Sequence, residues 1–239
     1  MSTSPAHTSR QPGLLSRLRG GLVVSCQANP GEPLHGPVFM TAMAATAVRA
    51  GAVAVRVNGL ADIGAVRAAD LGVPVIGLWK DGEEGVYITP TLAHALAVVS
   101  AGADIVALDA TARPRRDGLS LAETIAAVHA RTGALVMADV ATGEEGRAAA
   151  DAGADLVGTT LSGYTGDTVD RRGADLDLVA RLAATLTVPV LAEGRISTPD
   201  QAAEALTRGA WAVVVGGAIT RPGAITTGFV ARLAEWNRP

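Results

Sequence analysis

The apolar positions of this chain fall in short unbroken runs with little alternation. LVVS after Gly21, AVAVRV after Gly51, VPVIGLW from Val73, DIVAL from Asp104, ALVMA from Ala134, DLVG from Asp155, VPVLA from Val188 and WAVVV from Trp211 are rich in β-branched residues. Strands buried on both faces of a parallel sheet read this way. Between the runs, helical patterning predicts helices at about 36–50, 61–70, 91–101, 120–131, 143–152, 175–186, 199–208 and 223–236. Several open on start signals: Thr89 before Pro90, Ser120 with Glu123, Thr142 with Glu145, and Thr198-Pro199 with Gln201 placed to complete a capping box.

A repeat organises these elements. Glycines that open a strand, at Gly51, Gly102, Gly153 and Gly209, lie 51, 51 and 56 residues apart, and a second family of strands falls midway between them. Two strands per period over four periods make eight. Strict alternation of strand and helix with that count predicts an α/β fold, a single (β/α)8 TIM barrel; an open doubly wound sheet would call for a GxGxxG loop near the start, and none is present.

Composition narrows the picture. The 239 residues match the roughly 250 of one such barrel, so residues 1–12, polar and proline-containing, are expected to form a disordered lead, and 13–239 the catalytic barrel. A net charge of −3 with one dense basic run, Arg113 to Arg116, excludes nucleic acid as an expected partner. No stretch is long enough for a membrane span. A single cysteine fits a reducing cytoplasm, and four histidines at positions 7, 35, 94 and 129 without ligand spacing signal no metal.

Barrel enzymes build their sites at the C-terminal ends of the strands. Those ends read Gln27, Arg56, Lys80, Asp109, Asp139, Thr160, Glu193 and Gly216, seven of them polar directly after an apolar run. Polar groups at a barrel mouth cost desolvation unless they are paired or serve a ligand. Lys80 is the sharpest candidate: an amine in a partly desolvated site becomes a base near neutral pH, whereas one with pKa about 10.4 is neutral less than about 0.1% of the time at pH 7. Its alternative is an ion pair with Glu193 or Asp139. Glu193 is in turn a partner or a second acid/base. Asp109 and Asp139 either serve ligand or bond loop N–H groups. Arg56, ahead of Asn58-Gly59, offers a charged fork, and Gln27 an amide that donates and accepts. His35 and Tyr164 lie on loops that reach the same mouth. After strands 7 and 8, Glu193-Gly194-Arg195 and Gly216-Gly217, with Arg221 beyond, place bare backbone and positive charge where such barrels bind phosphate; the same glycines would also serve plain tight turns.

These segments, SCQANPGEPLHGP (25–37), RVNG (56–59), ITPTL (88–92), ALDATARPR (107–115), MADV (137–140), VGTTLSGYT (157–165), LAEGRI (191–196) and GAWAVVVGGAITRP (209–222), resemble the N-acetylmannosamine-6-phosphate 2-epimerase family across nearly everything from Gly21 to Phe229. The resemblance implies a cofactor-free barrel that interconverts N-acetylmannosamine 6-phosphate and N-acetylglucosamine 6-phosphate in amino-sugar and sialic acid catabolism. It puts Lys80 on the catalytic lysine and Glu193 on its partner carboxylate. Gln27, Arg56 and Asp139 fall on sugar-binding positions, and Arg221 with the Gly216-Gly217 loop on phosphate-binding ones. Two departures are a short segment from Lys80 to Gly85 and a long lead before Gly21. Two other readings stand beside it: a lyase using Lys80 as a Schiff-base nucleophile, and a non-catalytic sugar-phosphate-binding barrel. The apolar residues Phe229, Leu233 and Trp236 suit a homodimer interface as well as the core.

Overall fold

The computed structural model describes residues 12–82 and 85–236. Eight strands, β1 (Leu22–Cys26), β2 (Ala54–Asn58), β3 (Val75–Leu78), β4 (Ile105–Asp109), β5 (Leu135–Asp139), β6 (Leu156–Gly158), β7 (Val190–Glu193) and β8 (Ala212–Val215), pair in parallel in chain order. β8 closes on β1 through Leu22 to Val213 and Val24 to Val215, so the sheet is a complete TIM barrel without an edge. Helices α2 (Pro37–Arg49), α3 (Leu60–Ala68), α4 (Leu92–Ser100), α5 (Leu121–Thr132), α6 (Gly143–Asp151), α7 (Leu176–Thr185) and α8 (Pro199–Thr207) follow β1 to β7 in turn.

Strand parity divides the core in two. Val24, Val55, Val57, Val106, Leu108, Val136 and Ala138 point outwards into the packing with the helices. Their neighbours Val23, Ala54, Ile76, Ile105, Ala107, Leu135, Met137, Leu156, Leu191 and Ala212 fill the barrel. The same inward parity, continued towards the C-terminal ends, brings Ser25, Arg56, Asp109, Asp139 and Glu193 over that apolar filling. Register sets them side by side: Ser25 is level with Arg56, Asp109 with Asp139, and Asp139 with Gly158. Gly158 leaves room for its neighbours: a Cβ there would push the Met137 methyl aside and crowd Asp139.

Most helix starts follow the predicted chemistry. Ser120 with Glu123 and Thr142 with Glu145 form reciprocal capping boxes. At α8 the Thr198 side chain accepts from Gln201 N, but Gln201 turns its oxygen to Ser197 N, one residue before the cap, so no box closes there. Thr89 is not a cap. The cap of α4 is Thr91; Thr89 sits buried at φ 50°, its hydroxyl accepting from Trp79 N at 3.1 Å.

Both ends of the chain depart from expectation. The lead assigned to residues 1–12 lies outside the described residues save for Pro12, which opens an unanticipated helix, α1 (Pro12–Leu18). Leu14 and Leu18 plug the N-terminal end of the barrel, and Trp211 Nε1 donates to Leu15 O at 2.8 Å. After β8, a four-residue helix, α9 (Gly217–Thr220), leads into α10 (Pro222–Trp236). The eighth predicted helix therefore exists but does not cover the barrel: none of its residues is buried, and Leu233 and Trp236 are 67% and 90% exposed. No helix among the described residues is long and apolar enough to cross a membrane.

Candidate active site

A cavity of about 940 Å³ opens at the C-terminal mouth and takes in Gln27, Arg56, Lys80, Glu193, Gly216 and Arg221. Side chains more than 190 positions apart along the chain thus meet in one cup.

Arg56 is its structural centre. It does not end its strand as the sequence suggested, but sits two residues inside β2, only 1% exposed and pointing into the barrel. Its guanidinium grips Asp139 with both nitrogens, Nη1 to Oδ1 at 3.0 Å and Nη2 to Oδ2 at 2.6 Å, and Nη1 also donates to Glu193 Oε2 at 2.7 Å. Burial alone would weaken its hold on the proton; the two carboxylates outweigh that and keep it firmly charged. The carboxylates expected to pair with Lys80 are therefore taken by Arg56.

Glu193 is the group in balance. Burial pushes it up, Arg56 pulls it down, and the neighbouring Asp139 pushes it up again, leaving it at about 7. The Thr160 hydroxyl bridges the two acids, 2.5 Å from Asp139 Oδ1 and 3.1 Å from Glu193 Oε2.

Lys80 follows β3 on a short hairpin that returns through a bridge to Ile88. Its N–H donates to Asn58 Oδ1 at 2.9 Å, which fixes the backbone there. The amine donates to Gln27 Oε1 at 2.9 Å, and Gln27 Nε2 donates to Ser25 Oγ at 2.8 Å. The side chain is open to the water of the cup yet crowded by its walls. That desolvation, with Arg56 next in weight, lowers the amine below the ordinary lysine range.

The turn after β8 forms another wall of the cup. Gly216 abuts Ser25, and Thr220 Oγ1 donates to Ser25 O at 2.9 Å, tying this loop to β1. The N–H groups that open the α9 turn have no partner within it. Arg221 is closed by the carboxylate of Glu32, which holds that acid below its usual range. Arg195 does not turn its guanidinium to the cup. At φ 55° it reaches over the Tyr164 ring, 4.1 Å from the centroid, and donates to the carbonyls of Ser162, Gly163 and Arg171. Arg195 and Gly194 both line the cavity. Asp109 is spent locally on Thr111 and Arg113, and His35 is exposed outside the lining.

Three participants were not singled out from sequence: Asn58, Glu32 and Tyr87. Tyr87 lines the cup from the return arm of the Lys80 hairpin. Its signal was present in the Lys80 and Ile88 spacing, which only a hairpin reconciles. Among the described residues no three His, Cys, Asp or Glu side chains are grouped so that they could hold a metal ion.

Residues 40–235 match the family described as "NanE: Putative N-acetylmannosamine-6-phosphate epimerase". A protein of Cutibacterium acnes given that name as a 2-epimerase is 55% identical over 218 residues, 90% of this chain and 95% of its own. One of Caldanaerobacter subterraneus is 49% identical over 94% of this chain and 96% of its own. The solved N-acetylmannosamine-6-phosphate 2-epimerase of Clostridium perfringens superposes with a TM-score of 0.88 at 39% identity, covering 97% of this chain and all of that one. On sequence, barrel and the span of the match alike, the chain belongs to the NanE family of N-acetylmannosamine-6-phosphate epimerases.

Proposed function

We propose that the chain interconverts N-acetylmannosamine 6-phosphate and N-acetylglucosamine 6-phosphate, in amino-sugar and sialic acid catabolism, by removing the C2 proton and returning one to the opposite face. One observation carries the mechanism. Lys80 follows β3 and Glu193 ends β7, four strands apart in a ring of eight, so the amine and the carboxyl face each other across the cup. Such an arrangement suits inversion at a carbon, with a proton carrier available on each face. The phosphate is held by the Gly216-Gly217 turn and Arg221, with Glu32 displaced; Arg56 and Gln27 offer donors to the oxygen that becomes an enolate when C2 loses its proton. Asp139 orients Arg56, and Gly194 and Arg195 frame the β7 side.

The protonation states follow from reversibility. In one direction neutral Lys80 takes the proton and protonated Glu193 gives one; in the other, ionised Glu193 takes and charged Lys80 gives. Both forms carry a single proton on the pair. Activity is therefore lost at low pH, when both are protonated, and at high pH, when neither is. The expected profile of kcat/KM rises with pH through about 7, the value set by buried Glu193, and falls again below the ordinary lysine range. Glu193→Gln should lose the limb near 7. A flat profile between pH 6 and 8, bounded here by about one unit either side of that value, would remove Glu193 from the proton path.

The finer parts of the reading are a homodimer and a cytoplasmic setting. Phe229, Val230, Leu233 and Trp236 project from a helix with no buried residue, and burying one such side chain is worth roughly 1.5–3 kcal/mol. A second copy of the chain covers this helix. Sedimentation should give twice the 24.1 kDa chain mass, and the double change Phe229→Asp with Leu233→Asp should give monomers; a monomeric unmodified chain would contradict it. The single cysteine, Cys26, buried and unpaired, accords with a reducing compartment.

A further inference from the structure

We infer that Tyr87 is the specificity-determining residue for the acetamido arm of the substrate, its phenol donating to the amide carbonyl and its ring, with Ile88 and Leu161, walling the acetyl methyl. This rests on the proposed substrate and adds to it the group that reads the nitrogen substituent.

Tyr87 lies on the hairpin between β3 and β4, which in an eight-stranded ring stands opposite the turns after β7 and β8. A sugar phosphate anchored by its C6 phosphate at Gly216-Gly217 and Arg221 runs across the cup. Its C2 falls between Lys80 and Glu193, and the substituents at that end reach the Tyr87 side. Among the described residues the phenol has no hydrogen-bond partner, so its donor is free to serve a ligand. It is half-buried, and its proton is held above the ordinary phenol range by burial and by Asp109 and Asp139. It therefore donates, and two carboxylates in its surroundings disfavour any anionic acceptor. A neutral amide carbonyl meets both conditions.

The apolar component singles out the acetamido group over the aldehyde at C1. Ile88 and Leu161 are 2% and 1% exposed, line the cup and belong to the apolar cluster against which Tyr87 packs, and Arg113 covers the tyrosine ring at 5.6 Å from its centroid. An aldehyde has no use for hydrocarbon, and the polar donors near it are Arg56, Lys80 and Gln27. The Tyr87 backbone is fixed as well, its carbonyl accepting from Asp81 N at 3.0 Å.

The test compares two ligands that share phosphate and aldehyde and differ at C2: N-acetylglucosamine 6-phosphate and glucose 6-phosphate. Tyr87→Phe should weaken the first by about 3- to 10-fold, the worth of one neutral hydrogen bond, and leave the second unchanged. Equal weakening of both, or of neither, overturns the assignment. A second measurement avoids altering Tyr87. The chain has 2 tyrosines, so Tyr164→Phe leaves Tyr87 as the single one, and nuclear Overhauser transfer should pass from the acetyl methyl to its ring protons. Absence of transfer with ligand bound overturns it too. If the unmodified chain binds neither sugar phosphate, the proposed function itself falls. If it binds both and the preference survives in Tyr87→Phe, the role of Tyr87 alone falls.

Discussion

Lys80→Ala is expected to slow C2 proton exchange by roughly 10²- to 10⁴-fold, the range that one positioned acid/base supplies, about 3 to 5.5 kcal/mol of barrier. Binding of the sugar phosphate should persist, since the groups proposed to hold the phosphate, the Gly216-Gly217 turn and Arg221, are not what the amine bonds to; it donates to Gln27. The loss belongs in kcat with little change in KM. Lys80→Arg should do no better than alanine, because a guanidinium keeps its proton throughout the working range and cannot act as the neutral base. Exchange in deuterated water, followed by proton NMR, reads the rate directly. Borohydride added during turnover separates the lyase alternative: a reduced substrate adduct on Lys80 would mean that the amine attacks a carbonyl instead of a proton.

The second large effect is structural. Arg56 is buried against two acids, and removing one partner of a buried ion pair costs about 3–5 kcal/mol, since the charges left behind have neither water nor a counterion. For a chain of this size that is a fall in melting temperature of about 6–20 °C for Arg56→Ala. The loss should depend on pH. Without the guanidinium that pulls it down, Glu193 rises further above its unfolded value. A carboxyl raised in the folded state favours folding below its unfolded pKa, and that contribution is lost as pH rises through the folded one. The variant should therefore recover stability on going from pH 8 towards pH 5, a window that spans the value of about 7 for Glu193. Thermal melts at both ends check it. A deficit that is the same at both would mean that the stranded acids are not its cause.

How much of this was legible beforehand differs between fold and site. Strand and helix order could be read because the apolar runs and the 51-residue spacing are local signals. The facing of side chains could not, because a strand buried on both sides has no alternation to reveal which residues point inwards. Arg56 shows the consequence: it was placed among the strand-end groups, and closure of the barrel instead turns it inside, where it takes the acids that Lys80 was expected to meet. Arg195 shows another limit. The basic character of its loop suited a phosphate, but a positive φ and the carbonyls of the loop after β6 direct the guanidinium elsewhere, which no spacing along the chain encodes. Glu32 and Arg221 are 189 residues apart and meet only because β8 closes on β1. The exposed α10 had the pattern of a covering helix, and pattern alone does not say whether it packs on its own barrel.

The account depends on a proton leaving C2 to one side of the cup and another arriving from the opposite side. Proton NMR of N-acetylmannosamine 6-phosphate turned over by the unmodified chain in deuterated water tests that most directly. The expected result is N-acetylglucosamine 6-phosphate carrying deuterium at C2, with the carbon skeleton intact. Product that retains its original C2 hydrogen, or a cleaved sugar, would contradict it.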